Sequence, residues 1–496
     1  MLNFFKYLIY TLIFLSLVLF YFLFTPLGQQ NIYDFIGEKL SKKTDLQVEV
    51  KTIDITQYPQ VRIILNIEKK AKLTLWGKID DILVDMDYTL TSDCIATEHC
   101  QIDDDIHIKG HVKGPFTRLS ISGKGTALDG NLTYSGMKYT DRAEHIKLIM
   151  RDVNSSKLLR LMGEDAIIHG KANVDIDFEH MDKSHKKGTI LYHVKDHNFK
   201  GIPLDLATKI DIENEKHTFK IDVTSPYLTL NITKGTYNQK EKKANAFYVL
   251  DVKDLSKLDK LLGSTYRGDF YARGVLSYDT FLKITGLSKT FGGMTEFTFE
   301  KDGLKIHLDN TKLENIMSLF PMPPMLTAYA TGDIYYNFIQ ETVVVNTKLK
   351  NARFVECNLA RVIRKKADVN ILKEVFDDAH LDLTHHHDII RGNLSLANNH
   401  SHLYLKNTKI NTERKSINAY FDFKMQRQEF SGKVYGSLDN PKVNLNMQKL
   451  VRYQMDKQVD KMIGRNGRKI MEKMPMGGVA KDVATDMGAS FMKVFF

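Results

Sequence analysis

The chain has 496 residues, 43% of them hydrophobic and 26% charged, which excludes wholesale disorder and allows more than one domain. Its 70 Lys and Arg against 60 Asp and Glu give a formal charge of +10, which suits nucleic acid or an anionic membrane surface as partner.

The first element decides between these partners. Residues 7–24, YLIYTLIFLSLVLFYFLF, form an uncharged, almost wholly apolar run of the length that spans a bilayer. A cleaved signal peptide has a shorter apolar region and small residues at its cleavage site, where this chain has Tyr21, Phe22, Leu23 and Phe24. A buried core helix is the alternative; the run reads as an uncleaved single-pass anchor over 1–28. Lys6 lies before it, and only Asp34, Glu38 and Lys39 lie close behind. The rule that positive charge stays inside then puts the amino terminus in the cytoplasm and the bulk outside it. The basic surplus therefore points to phospholipid, with no nucleic-acid partner expected.

From 29 to 446 the dominant signal is period-2 alternation, the mark of strands with one apolar and one polar face. Cys94 and Cys100 fall in an early polar stretch, TSDCIATEHCQIDDD, that reads as a loop. They could close a small ring in an oxidising compartment or be two unrelated thiols, and Cys357 has no partner in sequence. In TFKIDVTS, Phe219, Ile221 and Val223 share a face; in YLTLNITKG, Leu228, Leu230 and Ile232 do. Leu403 and Leu405 follow in HLYLKNTKIN, Phe421 and Phe423 in SINAYFDFKM, and Val443 and Leu445 in PKVNLN. These twelve residues are the candidate apolar lining. With few helices and none between successive strands, a doubly wound α/β fold is out.

A repeat overlies the strands. Segments 152–178, 251–279 and 308–337 each read as a strand end, a short leucine-rich helix, a linker, then glycine and a new strand; a fourth copy starts near 358–371. Such repeats suggest one architecture grown by addition. Twenty-five to thirty amphipathic strands need cover for their apolar faces, and the few helices cannot supply it. Either sheets close on each other as sandwiches, or one sheet of about 120 Å at ~4.8 Å per strand curls around apolar guests. In GSLDNPKVNLN (436–446) and GHVKGPFTRLS (110–120), glycine and proline punctuate the alternation, with Gly110 answering Gly436 and Gly114-Pro115 answering Asn440-Pro441. Over 447–496 the pattern changes to a basic amphipathic helix, with Val451, Met455, Val459, Met462 and Ile463 on one face. It either lies on a membrane or partner, or caps the last strands.

Together, the anchor ending TPLG (25–28), the following NIYDFIGEKLSKKTDLQVEVKTIDI (31–55), the strand-rich body and its Gly-x-x-x-Asn-Pro-x-Val-x-Leu ending (436–445) resemble the AsmA-like family of bacterial envelope proteins. The resemblance implies a mainly β protein held in the bacterial inner membrane. Its periplasmic part would be a long, curved, taco-like antiparallel β-groove with an apolar interior. It implies a role in moving phospholipid towards the outer membrane, or in outer-membrane assembly, and brings no catalytic residue or cofactor. An outer-membrane protein, or that membrane itself, is a candidate partner for the tail.

Other constellations have plainer readings. His385-His386-His387-Asp388 reads as a polar turn; were it a metal site, strand alternation would let only His385 and His387 share an ion, with His380, His400 or His402 completing it. Asp103-Asp104-Asp105 reads as a solvated turn, with calcium the alternative. LSISGKG (119–125) lacks the spacing of a nucleophile elbow or a phosphate loop. The expectation is a non-enzymatic carrier of phospholipid along an apolar β-groove. The alternative is a structural or chaperone-like factor that supports outer-membrane β-barrels without conducting lipid.

Overall fold

A computed structural model describes residues 46–446 apart from 69, 81, 97–100, 167, 264, 320–325, 357–359, 361–363, 365–368, 426–427 and 438–440, with parts of helical turns between 33 and 42. The expected anchor (1–28), the basic tail (447–496), Cys100, Cys357 and most of the fourth repeat lie outside these residues. Among the described residues no helix is long and apolar enough to cross a membrane.

Among the described residues the alternating segments form 26 strands of one sheet, and wherever pairing is described consecutive strands pair antiparallel. The chain divides into two units at Tyr248–Val249. The first contains β1 (Val48–Gln57), β2 (Gln60–Ile67), β3 (Ala71–Ile79), β4 (Leu83–Ala96), β5 (Gln101–Pro115), β6 (Arg118–Ala127) and β7 (Gly130–Tyr139). It continues through β8 (Ala143–Asn154), β9 (Lys171–Met181), β10 (Lys186–Phe199), β11 (Ile202–Glu213), β12 (Lys216–Thr224) and β13 (Leu228–Asn238), and the boundary falls within β14 (Lys243–Val252). The second contains β15 (Phe270–Tyr278), β16 (Leu282–Ser288), β17 (Met294–Glu300), β18 (Gly303–Lys312), β19 (Leu326–Asn337) and β20 (Thr342–Phe354). After these come β21 (Asp378–His386), β22 (Ile389–Ala397), β23 (His402–Asn411), β24 (Ser416–Met425), β25 (Gln428–Ser437) and β26 (Pro441–Asn446).

Residues opposite one another in antiparallel strands share a face, so the register turns local alternation into rows. In the first unit one row runs unbroken through thirteen strands: Ile53, Ile63, Leu75, Tyr88, Gly110, Gly123, Tyr134, Leu148, Ile176, Ile190, Ile210, Phe219 and Gly235. The glycines in it are not gaps. Tyr88 lies over Gly110 and Tyr134 over Gly123, and a β-carbon on either glycine would collide with the ring above it. Phe178 covers Gly188, Phe219 covers Gly235 and, in the second unit, Phe421 covers Gly432 in the same way.

The repeat survives as geometry. Asn154 caps α1 (Ser155–Leu161) by accepting the amides of Ser156 and Lys157 at 3.0 and 3.2 Å, and Leu158 is buried beneath it. The second copy has a 3₁₀ turn at Leu255–Lys257, capped by Asp254, then α2 (Asp259–Leu262). The first residue of each bonds back to the linker glycine: Ser155 N to Gly170 O at 3.0 Å and Leu255 N to Gly268 O at 2.9 Å. The third copy supplies α3 (Leu313–Ser318). Ahead of α1 and α3 the strand bulges at a residue with positive φ, Asp152 (57°) and Asn310 (50°).

Two sequence expectations change. Asp103–Asp105 are not a turn: they lie inside β5, where alternation sends Asp103 and Asp105 outward and Asp104 inward beside Ile102 and Ile106. Asp104 is 5% exposed, accepts the Leu128 amide at 2.5 Å and is paired with Lys157 of α1 at 2.9 Å. Lys157 also reaches Asp129 at 2.6 Å. Gly110 is likewise not the counterpart of Gly436. The left-handed glycines are Gly114 (φ 129°) and Gly436 (φ 97°), each beside a strand-end proline: Pro115 closes β5 and Pro441 opens β26 opposite Gly436.

Candidate functional site

What the two units offer is an apolar face, closed in some strands and open in others. In β1–β9 it is sealed: Leu75, Tyr88, Ile108, Leu132, Leu148 and Val174 are all at most 2% exposed and belong to one cluster. From β10 onward most apolar members of these rows lose their cover, although Val194 of β10 stays in the sealed cluster. Ile190, Leu206, Ile210, Phe219, Ile221, Val223, Leu228 and Leu230 are half-buried, and only Ile232 of the six lining residues expected on β12 and β13 is buried. The register sets Ile221 opposite Ile232 and Val223 opposite Leu230, so these six do share one face.

The second unit shows the same division. A row through Gly274, Gly286, Phe297, Ile306, Ile334, Val345, Leu383 and Gly392 has its five large members half-buried. A hollow of about 300 Å³ is lined by Phe297, Ile306 and Ile334 and by their strand neighbours, among them Glu296, Lys305 and Asp333. Beside it Phe299 meets Phe338 edge-on at 5.6 Å and Tyr336 meets Phe338 at 4.5 Å. Further along, Leu403 and Phe423 are shut into a closed core with Phe354, the last residue of β20, and with Ile371 and Phe376 of the connection after it. Leu405 and Phe421 face each other and remain half-buried. The register puts Val443 opposite Val434 and Leu445 opposite Gly432, while their side chains lie outside the described residues.

The lining is therefore not alike on every strand. Leu403 and Phe423 have no surface left for a guest, whereas Ile190, Ile210, Phe297, Ile306 and Ile334, not singled out from sequence, do. For Ile210, Phe297 and Ile306 the signal was available as alternation in PLDLATKIDIE, MTEFTFE and GLKIHLD. The polar face opposite carries cross-strand ion pairs such as Lys113–Asp85 at 2.7 Å and Lys283–Glu300 at 3.1 Å.

No family model, curated protein or solved structure matches the chain.

His387 (φ 51°) and Asp388 form the turn between β21 and β22. The left-handed turn breaks the strand alternation, so the rings that meet are His386 and His387, with their Nδ1 atoms 3.1 Å apart, while His385 lies across from Ile390 on the apolar row. His380 bonds Asp378 at 2.9 Å and His402 bonds Asp422 at 2.8 Å. Cys94 is buried on β4 opposite Asp103; Cys100 lies outside the described residues, so both readings of the pair, ring or unrelated thiols, stand. Burial pushes the Tyr134 phenol up to about 12 and raises Tyr88 further.

Proposed function

We propose that this protein is a membrane-anchored, non-enzymatic carrier that binds the acyl chains of phospholipid on the open apolar face of each unit. The observation that carries the reading is that the apolar rows continue past the sealed strands with side chains half in water, at Ile190–Leu230 in one unit and Phe297–Val345 in the other. Folding alone gives no reason to keep apolar rows regular where nothing covers them. Each methylene moved from water onto such a face gains roughly 0.8 kcal/mol, while a headgroup stays at the strand ends in water. Successive strands repeat the same apolar rows, so a chain can shift along them without one deep minimum.

The apolar run at 7–24 and the positive charge before it support an inner-membrane anchor with the sheet in the periplasm, and the resemblance to AsmA-like envelope proteins supports traffic towards the outer membrane. The test is a photocrosslinking residue placed at Ile221 or, one step along the strand, at Lys220 of the full chain in cells. Lipid adducts at 221 and none at 220 are expected. Equal labelling of the two faces overturns the reading.

A further inference from the structure

One corner of the first unit carries a surface that lipid carriage along the apolar face does not use. Ser41 Oγ accepts the Val48 amide at 2.9 Å, and the Tyr33 hydroxyl donates to Ile53 O at 3.2 Å and accepts from Ile53 N at 3.3 Å. The helical turns between 33 and 42 thus run antiparallel to β1, which sets Tyr33 towards the Ile53–Gln57 end of that strand. The expected anchor closes at Gly28, five residues earlier, which is at most about 18 Å of extended chain.

At that same end the hairpin tips are apolar and bare. Ile55, Tyr58, Ile82 and Leu83 are 41, 51, 69 and 49% exposed. The turn at the other end of β2 carries Glu68 and Lys70 instead. The tips are also fixed in place. Ile79 N donates to Pro59 O at 2.9 Å and joins the two hairpins. The Asp80 carboxylate accepts the amides of Ile82 and Leu83 at 3.0 and 2.7 Å, which ties its charge to the backbone of the tip. Holding large aliphatic side chains in water on a rigid turn is costly for a surface that meets only solvent. An aromatic and several aliphatic side chains beside a membrane anchor fit the boundary between headgroups and acyl chains, where such residues collect.

We propose that this corner is a bilayer-contact surface, with Tyr58, Ile82 and Leu83 seated in the interface beside the anchor. The contact sets how the first unit stands on the membrane. It rests on the anchor proposed above, and the experiment separates the two.

The chain has a single tryptophan, Trp76, so one substitution clears the background. The full chain carrying Trp76→Phe with Ile82→Trp is reconstituted in phosphatidylcholine vesicles, with or without bromine on the acyl chains. A second form carries Trp76→Phe with Tyr58→Trp, and a control carries Trp76→Phe with Lys70→Trp. Bromine should lower emission about two-fold or more at 82 and 58 and leave 70 unchanged. Emission unaffected at both 58 and 82 in protein that floats with the vesicles overturns the contact and leaves the anchor standing. Quenching equal at all three sites also overturns it, as general adsorption. Protein that does not float overturns the anchor and the contact together.

Discussion

The hydroxyls of Tyr88 and Tyr134 meet inside the first unit, above the two glycines, Gly110 and Gly123, that separate them in one row of the sheet. The rings lie along the row instead of standing on it, which only glycine beneath them allows. Tyr88 is 1% and Tyr134 6% exposed. Gly110→Ala should therefore cost about 1–3 kcal/mol, since its β-carbon would overlap both the Tyr88 hydroxyl and the Ser122 carbonyl. Urea unfolding of the variant beside the parent protein measures this. An unchanged midpoint would show that the ring can lift at no cost.

The same pair gives a pH dependence. Both tyrosines have folded pKa values above the ordinary value of 10.0, raised first by burial, with Tyr134 at about 12. For an acid with a raised folded pKa, the folded state holds the proton longer than the unfolded chain. The stabilisation is complete below pH 10 and is lost as pH rises towards 12 and beyond. Ultraviolet titration should show these two phenols ionising late, together with unfolding. Tyr88→Phe with Tyr134→Phe should flatten the alkaline loss.

Lys157 and Asp104 make a second test of the first unit. Lys157 has a side chain 22% exposed and sits between Asp104 and Asp129, whose carboxylate it holds below the usual range. Lys157→Met leaves Asp104 buried without its cation and should cost about 3 kcal/mol, near the low end for a broken buried pair. Adding Asp104→Leu should recover much of the loss, because the uncompensated charge goes with it. Thermal unfolding of the three forms checks the cycle. A double variant no better than Lys157→Met would show that the Asp104–Leu128 amide bond matters more.

For the open face, Ile221→Asp is a better probe than Phe421→Asp. Phe421 covers Gly432 and packs against closed clusters, so a charge there confounds folding with binding. Ile221 is half-buried, and its replacement should cost stability only about 1–2 kcal/mol. Lipid labelling by a crosslinker at the neighbouring face position Val223 should fall about ten-fold, while Lys220→Asp leaves it unchanged. Equal labelling in both variants would separate the apolar face from lipid binding.

Strands, their faces and the glycine–proline turns were legible because period-2 alternation and turn chemistry are local properties of a few neighbouring residues. TFKIDVTS and SINAYFDFKM show in sequence which side chains share a face, and β12 and β24 keep that division. The short helix after β8 was legible too, from its leucines. Which apolar faces are covered was not. Leu403 and Ile221 look alike in sequence, yet one is shut beneath Phe376 and Ile371 and the other stands half in water. Asp104 looked solvated because its neighbours are acidic, and only the approach of α1 gives it a buried cation. Cover, charge pairing and the seating of tyrosines over glycines all depend on residues far apart in the chain, brought together by register and packing. The sequence by itself determined the pattern of the sheet; the tertiary structure decided where that pattern is closed and where it is left open to a guest.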